Sequence, residues 1–185
     1  MKNIVKIFVS AKGQSLVELS LIFPLLLAML LGAVEVGRYI SVYLGLTHLT
    51  REGANLTSRG TAPNLALDAI ILAAAPTIRT NNTNQWGVIY SRIIEDPANP
   101  CPPLPCIYKI DNQISRGNLP KTSKVGLVNQ QVQIPGIDNV GPDQTFHTVE
   151  VFYDYGPDVL TAFVGNSINK DLYERTIFTN VGAIP

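Results

Sequence analysis

Residues 13–34 read GQSLVELSLIFPLLLAMLLGAV, and the architecture of the chain turns on this stretch. From Leu19 to Val34 sixteen residues pass without a charge. A membrane-spanning helix needs about 20 predominantly apolar residues. Leu16 and Val17 on one side, and Val36, Tyr39 and Ile40 on the other, extend the run to that length. Lys2, Lys6 and Lys12 precede it with no acidic residue among them. Basic residues collect on the cytoplasmic side of a membrane, so the N-terminus is expected there and the remainder outside. The ordinary alternative is a cleaved secretory signal peptide. Against it, the run is long, Leu31 and Ala33 make a poor small-x-small cleavage site, and Glu18 stands at the entrance. A charge at that boundary is costly without a partner.

Glu18 carries a sharper reading. Gly13-Gln-Ser-Leu-Val-Glu18-Leu follows a short basic leader and leads straight into the apolar run. This resembles the processing site of type IV pilin-like proteins, in which the leader ends in glycine and the mature chain has glutamate at its fifth position. The resemblance implies that a prepilin peptidase cuts between Gly13 and Gln14 on the cytoplasmic face, leaving a new amine on Gln14. A carboxylate at the membrane boundary needs a cation, and the Gln14 amine of a neighbouring subunit would supply one to Glu18. Pro24 removes one backbone hydrogen bond from the helix and permits a kink.

Beyond the run the chain continues GAVEVGRYISVYLGLTHLTREGANLTSRG. Tyr39, Val42, Leu46 and Leu49 recur at three and four residues among polar neighbours, which predicts an amphipathic helix leaving the membrane. Unbroken from Gln14 to Ser58, it would be about 65–70 Å long at 1.5 Å per residue. Pro24-Leu-Leu-Leu, Glu35-Val-Gly37-Arg38 and Arg51-Glu-Gly53-Ala54 together are similar to TadE-like proteins, pseudopilins of tight-adherence (Tad/Flp) pilus systems. The likeness covers residues 13–60 and, more loosely, 146–181, where Val149-Glu-Val-Phe-Tyr-Asp-Tyr155 is similar to the family's closing strand. One departure is Leu19, where TadE-like chains often carry an aromatic residue.

The resemblance implies a pilin-like structural subunit, a pseudopilin or minor pilin, that helps assemble a type IV or Tad-type pilus or a related secretion filament. Its implied partners are the prepilin peptidase, other pilin or pseudopilin subunits, the inner-membrane assembly platform and membrane lipid. The implied location is the bacterial inner membrane, with the C-terminal domain periplasmic or carried into an extracellular pilus. Glu18, Pro24, Glu35 and Arg38 are the candidate assembly residues. Glu35 and Arg38 lie three apart on one helical face, so they can pair within the chain as well as across subunits.

Residues 1–13 are thus expected as a leader, 14–60 as the spanning and amphipathic helix, and 61–185 as an exported domain. Pro63–Ala75 reads as a second helix with Thr61 or Asn64 as cap. Strands are expected at 86–94, 107–110, 125–134, 145–155 and 172–179, with a short helix at 160–164. Val128, Gln130, Val132 and Ile134 alternate as a strand, and 135–142 would join them to 145–155 as a hairpin. Helices first and strands after predict an α+β fold, an antiparallel sheet packed on the long helix. Five prolines between Pro97 and Pro105 exclude regular structure there. Cys101 and Cys106 flank part of that segment, and in an oxidising compartment a local disulfide is the expected pairing.

Chemistry is sparse. Lys plus Arg and Asp plus Glu number 14 each, so there is no basic excess to hold nucleic acid. His48 and His147 are the only histidines, and neither a nucleophile elbow, a phosphate loop nor zinc spacing accompanies them. Glu150, Asp154 and Asp158 leave a calcium site open but lack the spacing of a ligand loop. No catalytic residue, metal, cofactor or small-molecule substrate is expected. The other class that fits is a single-pass, membrane-anchored periplasmic binding module, which has no need of the Gly13-to-Glu18 pattern.

Overall fold

A computed structural model describes residues 11–75, 78–101, 105–156 and 170–180. The expected short helix at 160–164 and most of the leader lie outside these residues. Helix α1 runs without interruption from Ala11 to Ser58, with Pro24 inside it. At 1.5 Å per residue it is about 70 Å long. Helix α2 (Pro63–Ala74) follows after a short turn. Its cap is Ala62, with no side-chain bond, so neither Thr61 nor Asn64 caps it. Pro63 explains the tolerance, since a proline in the first turn has no N–H to be left orphaned. The Asn64 side chain instead accepts from the Arg116 guanidinium at 3.0 Å.

Four strands form the sheet: β1 (Trp86–Glu95), β2 (Tyr108–Gly117), β3 (Phe146–Tyr155) and β4 (Lys170–Thr179). Their order is β2-β1-β3-β4, and every neighbouring pair is antiparallel. Long helix and antiparallel sheet make the fold α+β, as expected. Alternation along the strands sends one set of side chains to each face. Val88, Tyr90, Val149, Val151, Tyr153 and Leu172 meet Leu46, Leu49, Leu67 and Ile70 of the two helices in one core. On the opposite face Ile93, Tyr108, Ile110 and Phe146 pack under the long β2–β3 connection, which contributes Val125, Val132 and Ile137 to a second core.

That connection corrects the hairpin. Residues 125–134 form no strand beside β3, whose neighbours are β1 and β4. They touch the free edge of β2 instead, through isolated bridges Lys109–Gln131 and Ile110–Val128. Gly126 and Asn129 take positive φ of 137° and 65°, which breaks any extended run between them. Burial does not follow the alternation: Val125 and Val132 are enclosed while Leu127 and Val128 are exposed. The segment therefore blunts a sheet edge that would otherwise present unpaired backbone groups.

Two further features fix the outer layer. Cys101 and Cys106 are joined by a disulfide with Cα atoms 5.2 Å apart, as expected, and Cys106 is buried in the second core. Glu150, fully buried on β3, accepts from the Ser123 hydroxyl, the Lys124 N–H at 2.9 Å and the Tyr173 hydroxyl at 2.8 Å. It pins the connection to the sheet and so is no free calcium ligand. At the end of β2, Gly117 has φ +85°, and a Cβ there would fall 2.3 Å from the Trp86 carbonyl oxygen.

Candidate functional site: the long helix and its docking seam

The α1 helix has two unlike halves. Through residues 16–34 the large apolar side chains are exposed, among them Leu21, Phe23, Leu26 and Leu30. An apolar window of mean hydropathy 2.3 within this helix has none of its surface buried by the rest of the chain. The helix is long and apolar enough to cross a membrane by length and composition. From Glu35 onward one stripe turns inward. Glu35, Leu46, Leu49, Thr50, Gly53, Ala54 and Thr57 are buried, with Tyr39 and Val42 partly buried beside them. Spacings of three and four keep these residues on one face, toward α2, β3 and β4.

Small and polar residues set how closely the seam docks. A Cβ on Gly53 would lie 3.0 Å from Ile70 Cδ1 and 3.3 Å from Val149 Cγ2, so glycine permits the approach of helix, α2 and sheet. Thr50 and Thr176 of β4 share a hydrogen bond of 2.9 Å between hydroxyls. The buried Thr57 hydroxyl is satisfied by the Gly53 and Ala54 carbonyls, each at 3.0 Å. Buried polar groups without such partners would cost about 1–3 kcal/mol apiece.

Glu35 begins the seam. Its side chain is buried, accepts a hydrogen bond from the Tyr155 hydroxyl, and has Arg38 at 3.6 Å. Tyr39 packs edge-on against the same Tyr155 ring, with centroids 5.5 Å apart. The structure thus brings Glu35 and Arg38 together and adds Tyr155, which the sequence reading had placed only in a closing strand. Its signal was the tyrosine that ends that alternating run. Glu18 and Pro24 stand apart on the exposed half, about 17 residues or 25 Å along the helix from Glu35 for Glu18. Gly13 and Gln14 lie in the backbone of the first turn of α1.

The histidines divide in the same way. His48 is exposed on α1, whereas His147 is buried in β3 with its Nδ1 2.9 Å from the Tyr90 hydroxyl. Burial above all, and Arg92 as well, hold the His147 pKa below its usual value. Burial likewise pushes the Tyr90 hydroxyl up to about 12. Among the described residues no group of three or more His, Cys, Asp or Glu side chains is placed to hold a metal.

No curated protein and no solved structure matches this chain. Residues 13–55 match the family model described as TadE-like protein. That stretch holds the whole exposed run and most of the docking seam, so it is in this helix that the chain is similar to TadE-like proteins.

Proposed function

We propose that this chain is a pilin-like structural subunit, a pseudopilin or minor pilin, that takes part in assembling a Tad-type pilus or related secretion filament. The observation that carries the reading is the Gly13-to-Glu18 pattern at the head of an exposed apolar helix, inside the TadE-like match. In this reading a prepilin peptidase cuts after Gly13, and residues 14–60 anchor the domain 61–185 on the periplasmic side. Glu18 then receives the Gln14 amine of a neighbouring subunit. Pro24 lets the exposed half bend, and other pilin subunits and the membrane platform are its partners. Glu35 and Arg38, already joined within the chain, set the angle at which the domain leaves the membrane.

The test takes the mature mass and N-terminal sequence of the protein together with Glu18→Ala. Cleavage after Gly13 is expected in both proteins, because the peptidase site centres on the glycine. Incorporation of Glu18→Ala into the filament should fail, since an unpaired ammonium in a low-dielectric core costs about 3–5 kcal/mol. A mature chain starting beyond Ala33 would mark an ordinary signal peptide and refute the proposal. Undisturbed assembly of Glu18→Ala would make the glutamate a boundary charge and favour an anchored binding module.

A further inference from the structure

Two apolar faces outside the spanning run are left uncovered among the described residues. On α2, Leu65 and Leu72 are 65% and 78% exposed, and Ala69 and Ala73 beside them are exposed too. Leu72 is the most exposed large apolar side chain among the described residues. On α1, Ile40 and Leu44 are 50% and 53% exposed. Leu16 to Val36 already spans about 30 Å at 1.5 Å per residue, the thickness of a bilayer's hydrocarbon core. Ile40 and Leu44 then stand about 6 and 12 Å beyond the lipid tails, so another cover is needed for them.

The two faces look in opposite directions. Gly53 of α1 stands against Ile70 of α2, and Leu49 shares a cleft with Ile70 and Ala74. Ile40 and Leu44 precede Leu49 and Gly53 by nine residues each, a rotation of about 180°, so they face away from α2. Leu72 and Leu65 stand about 160° and 140° round α2 from Ile70, so they face away from α1. Patches on opposite sides of one chain suit a head-to-tail contact, in which each copy offers one and receives the other. We infer that the Leu65–Leu72 face of α2 in one copy packs on the Ile40–Leu44 stripe of α1 in the next. The inference rests on the filament reading above and names the surfaces at which copies meet.

Charge favours one register. Asp68, the only charged residue of α2, lies between the two leucines with its side chain 60% exposed beside Arg116. Above the α1 stripe stand the exposed His48 and Arg51, within about 40° of Leu44 round the helix, while Glu52 is about 80° away. The pairing of Gly53 with Ile70 and Leu49 with Ala74 makes α2 antiparallel to α1. Copies anchored in one membrane point the same way, so α2 of one is also antiparallel to α1 of the next. Leu72 against Leu44 then brings Asp68 level with His48, one turn below Arg51, a complementary match. Within one chain Leu72 is level with Arg51, so meeting Leu44 raises the next copy by about 10 Å, seven residues at 1.5 Å. A head-to-tail contact with such a step climbs instead of closing. Two chains resting at one depth in a bilayer cannot make it, so it forms as a copy is lifted out.

Cysteine cross-linking of full-length chains tests this, in cells that assemble the filament and in cells that do not. Cys101 and Cys106 are joined to each other and leave the introduced thiols to react. Leu44→Cys in one tagged copy and Leu72→Cys in another should form a disulfide-linked heterodimer in the sheared filament fraction. Both substitutions in one chain should give a ladder. Leu44→Cys with Leu127→Cys, exposed on the edge segment, should give no product. Links of either variant with itself, in place of the heterodimer, would mean a two-fold contact and overturn the head-to-tail assignment. Equal heterodimer in membranes without filaments would overturn the stepped contact. Filaments that hold both variants and show no product would leave lipid or another segment as the cover, and overturn the inference outright. Leu72→Glu should lower incorporation at least about tenfold, since it puts a charge into an apolar contact. The urea midpoint of the domain should stay where it is, because Leu72 is exposed. Incorporation of Leu72→Glu at the wild-type level would count against the contact as well. The sheared fraction also separates the two readings. A wild-type chain absent from it is no filament subunit, and the inference then falls with that reading; a wild-type chain present without the 44-to-72 link sinks the inference alone.

Discussion

Residues 16–34 and 35–58 belong to one unbroken helix, yet they meet their surroundings in opposite ways. The first half shows large aliphatic side chains on all sides and buries none of its apolar window in the protein. The second buries a stripe built from Leu46, Leu49, Thr50, Gly53, Ala54 and Thr57. Apolar character alone therefore does not say where a helix belongs. In lipid there would be no gain in hiding one leucine face rather than another, and a ring of large residues suits such a setting. Against a sheet, close approach matters, so the seam uses small residues and threonines whose hydroxyls find carbonyls or each other. Glu35 marks the change, being the first buried residue of the described helix and bound to Tyr155.

The largest contrast should come from truncating one leucine on each side of that boundary. Leu46 is fully buried in the core shared by helix and sheet. Leu46→Ala should destabilise the domain by about 2–5 kcal/mol, through lost transfer energy and the cavity left behind. Leu26→Ala removes the same atoms from the exposed half and should leave domain unfolding within about 0.5 kcal/mol of the wild type. Urea unfolding in detergent, followed by the emission of Trp86, compares them directly. Equal losses for the two variants would mean that the halves are not energetically distinct.

A finer contrast uses glycines. Nothing stands within 4 Å of a Cβ placed on Gly37, so alanine there should stabilise the helix by up to about 1 kcal/mol. At Gly53 the same propensity gain meets Ile70 at 3.0 Å and Val149 at 3.3 Å. Gly53→Val should cost about 1–3 kcal/mol by overpacking. If Gly53→Val were as stable as Gly37→Ala, the close approach of helix and sheet would not be a constraint on the fold.

Much of this was readable before any coordinates. The charge-free run, the seam at Tyr39, Val42, Leu46 and Leu49, and the strands around Trp86, Val149 and Leu172 follow from local spacing, because burial on one face leaves a periodic mark. Sheet order does not follow from such marks. Val128, Gln130, Val132 and Ile134 alternate in sequence, yet only Val132 among them is buried, so the pattern serves an irregular edge segment as well as a true strand. The end of β2 at Gly117 was missed because Asp111, Asn112 and Gln113 carry little apolar signal, and a register shift between Arg92 and Ile93 disturbs the alternation. Tyr155 and Glu35 lie 120 residues apart, and no local spacing could pair them.

Acidity should separate the two halves by the smallest of these effects. Leu19 to Val34 carry no ionisable side chain, so the exposed span has nothing to titrate near neutral pH. In the domain, His147 is buried against Tyr90 and its pKa is lowered, first by burial and then by Arg92. The unfolded chain then binds a proton more readily than the folded one. Its contribution is therefore complete above the ordinary histidine value of about 6.5 and is lost as pH falls from there toward the lower folded value. Glu95 and Asp96 act in a separate window. Backbone N–H groups of Asp143 and Cys101 lower the Glu95 pKa, and the Asn99 side chain and the Ala98 N–H lower that of Asp96. Their contributions are lost only on acidification below the usual carboxylate range. Urea midpoints at pH 7.5 and 5.5 therefore isolate the histidine, and the midpoint should be lower at pH 5.5. His147→Gln cannot take up that proton, so its two midpoints should lie closer together whatever its absolute stability. A wild-type midpoint unchanged between these pH values would refute this contribution, and a His147→Gln protein that keeps the full difference would assign the titration to another group.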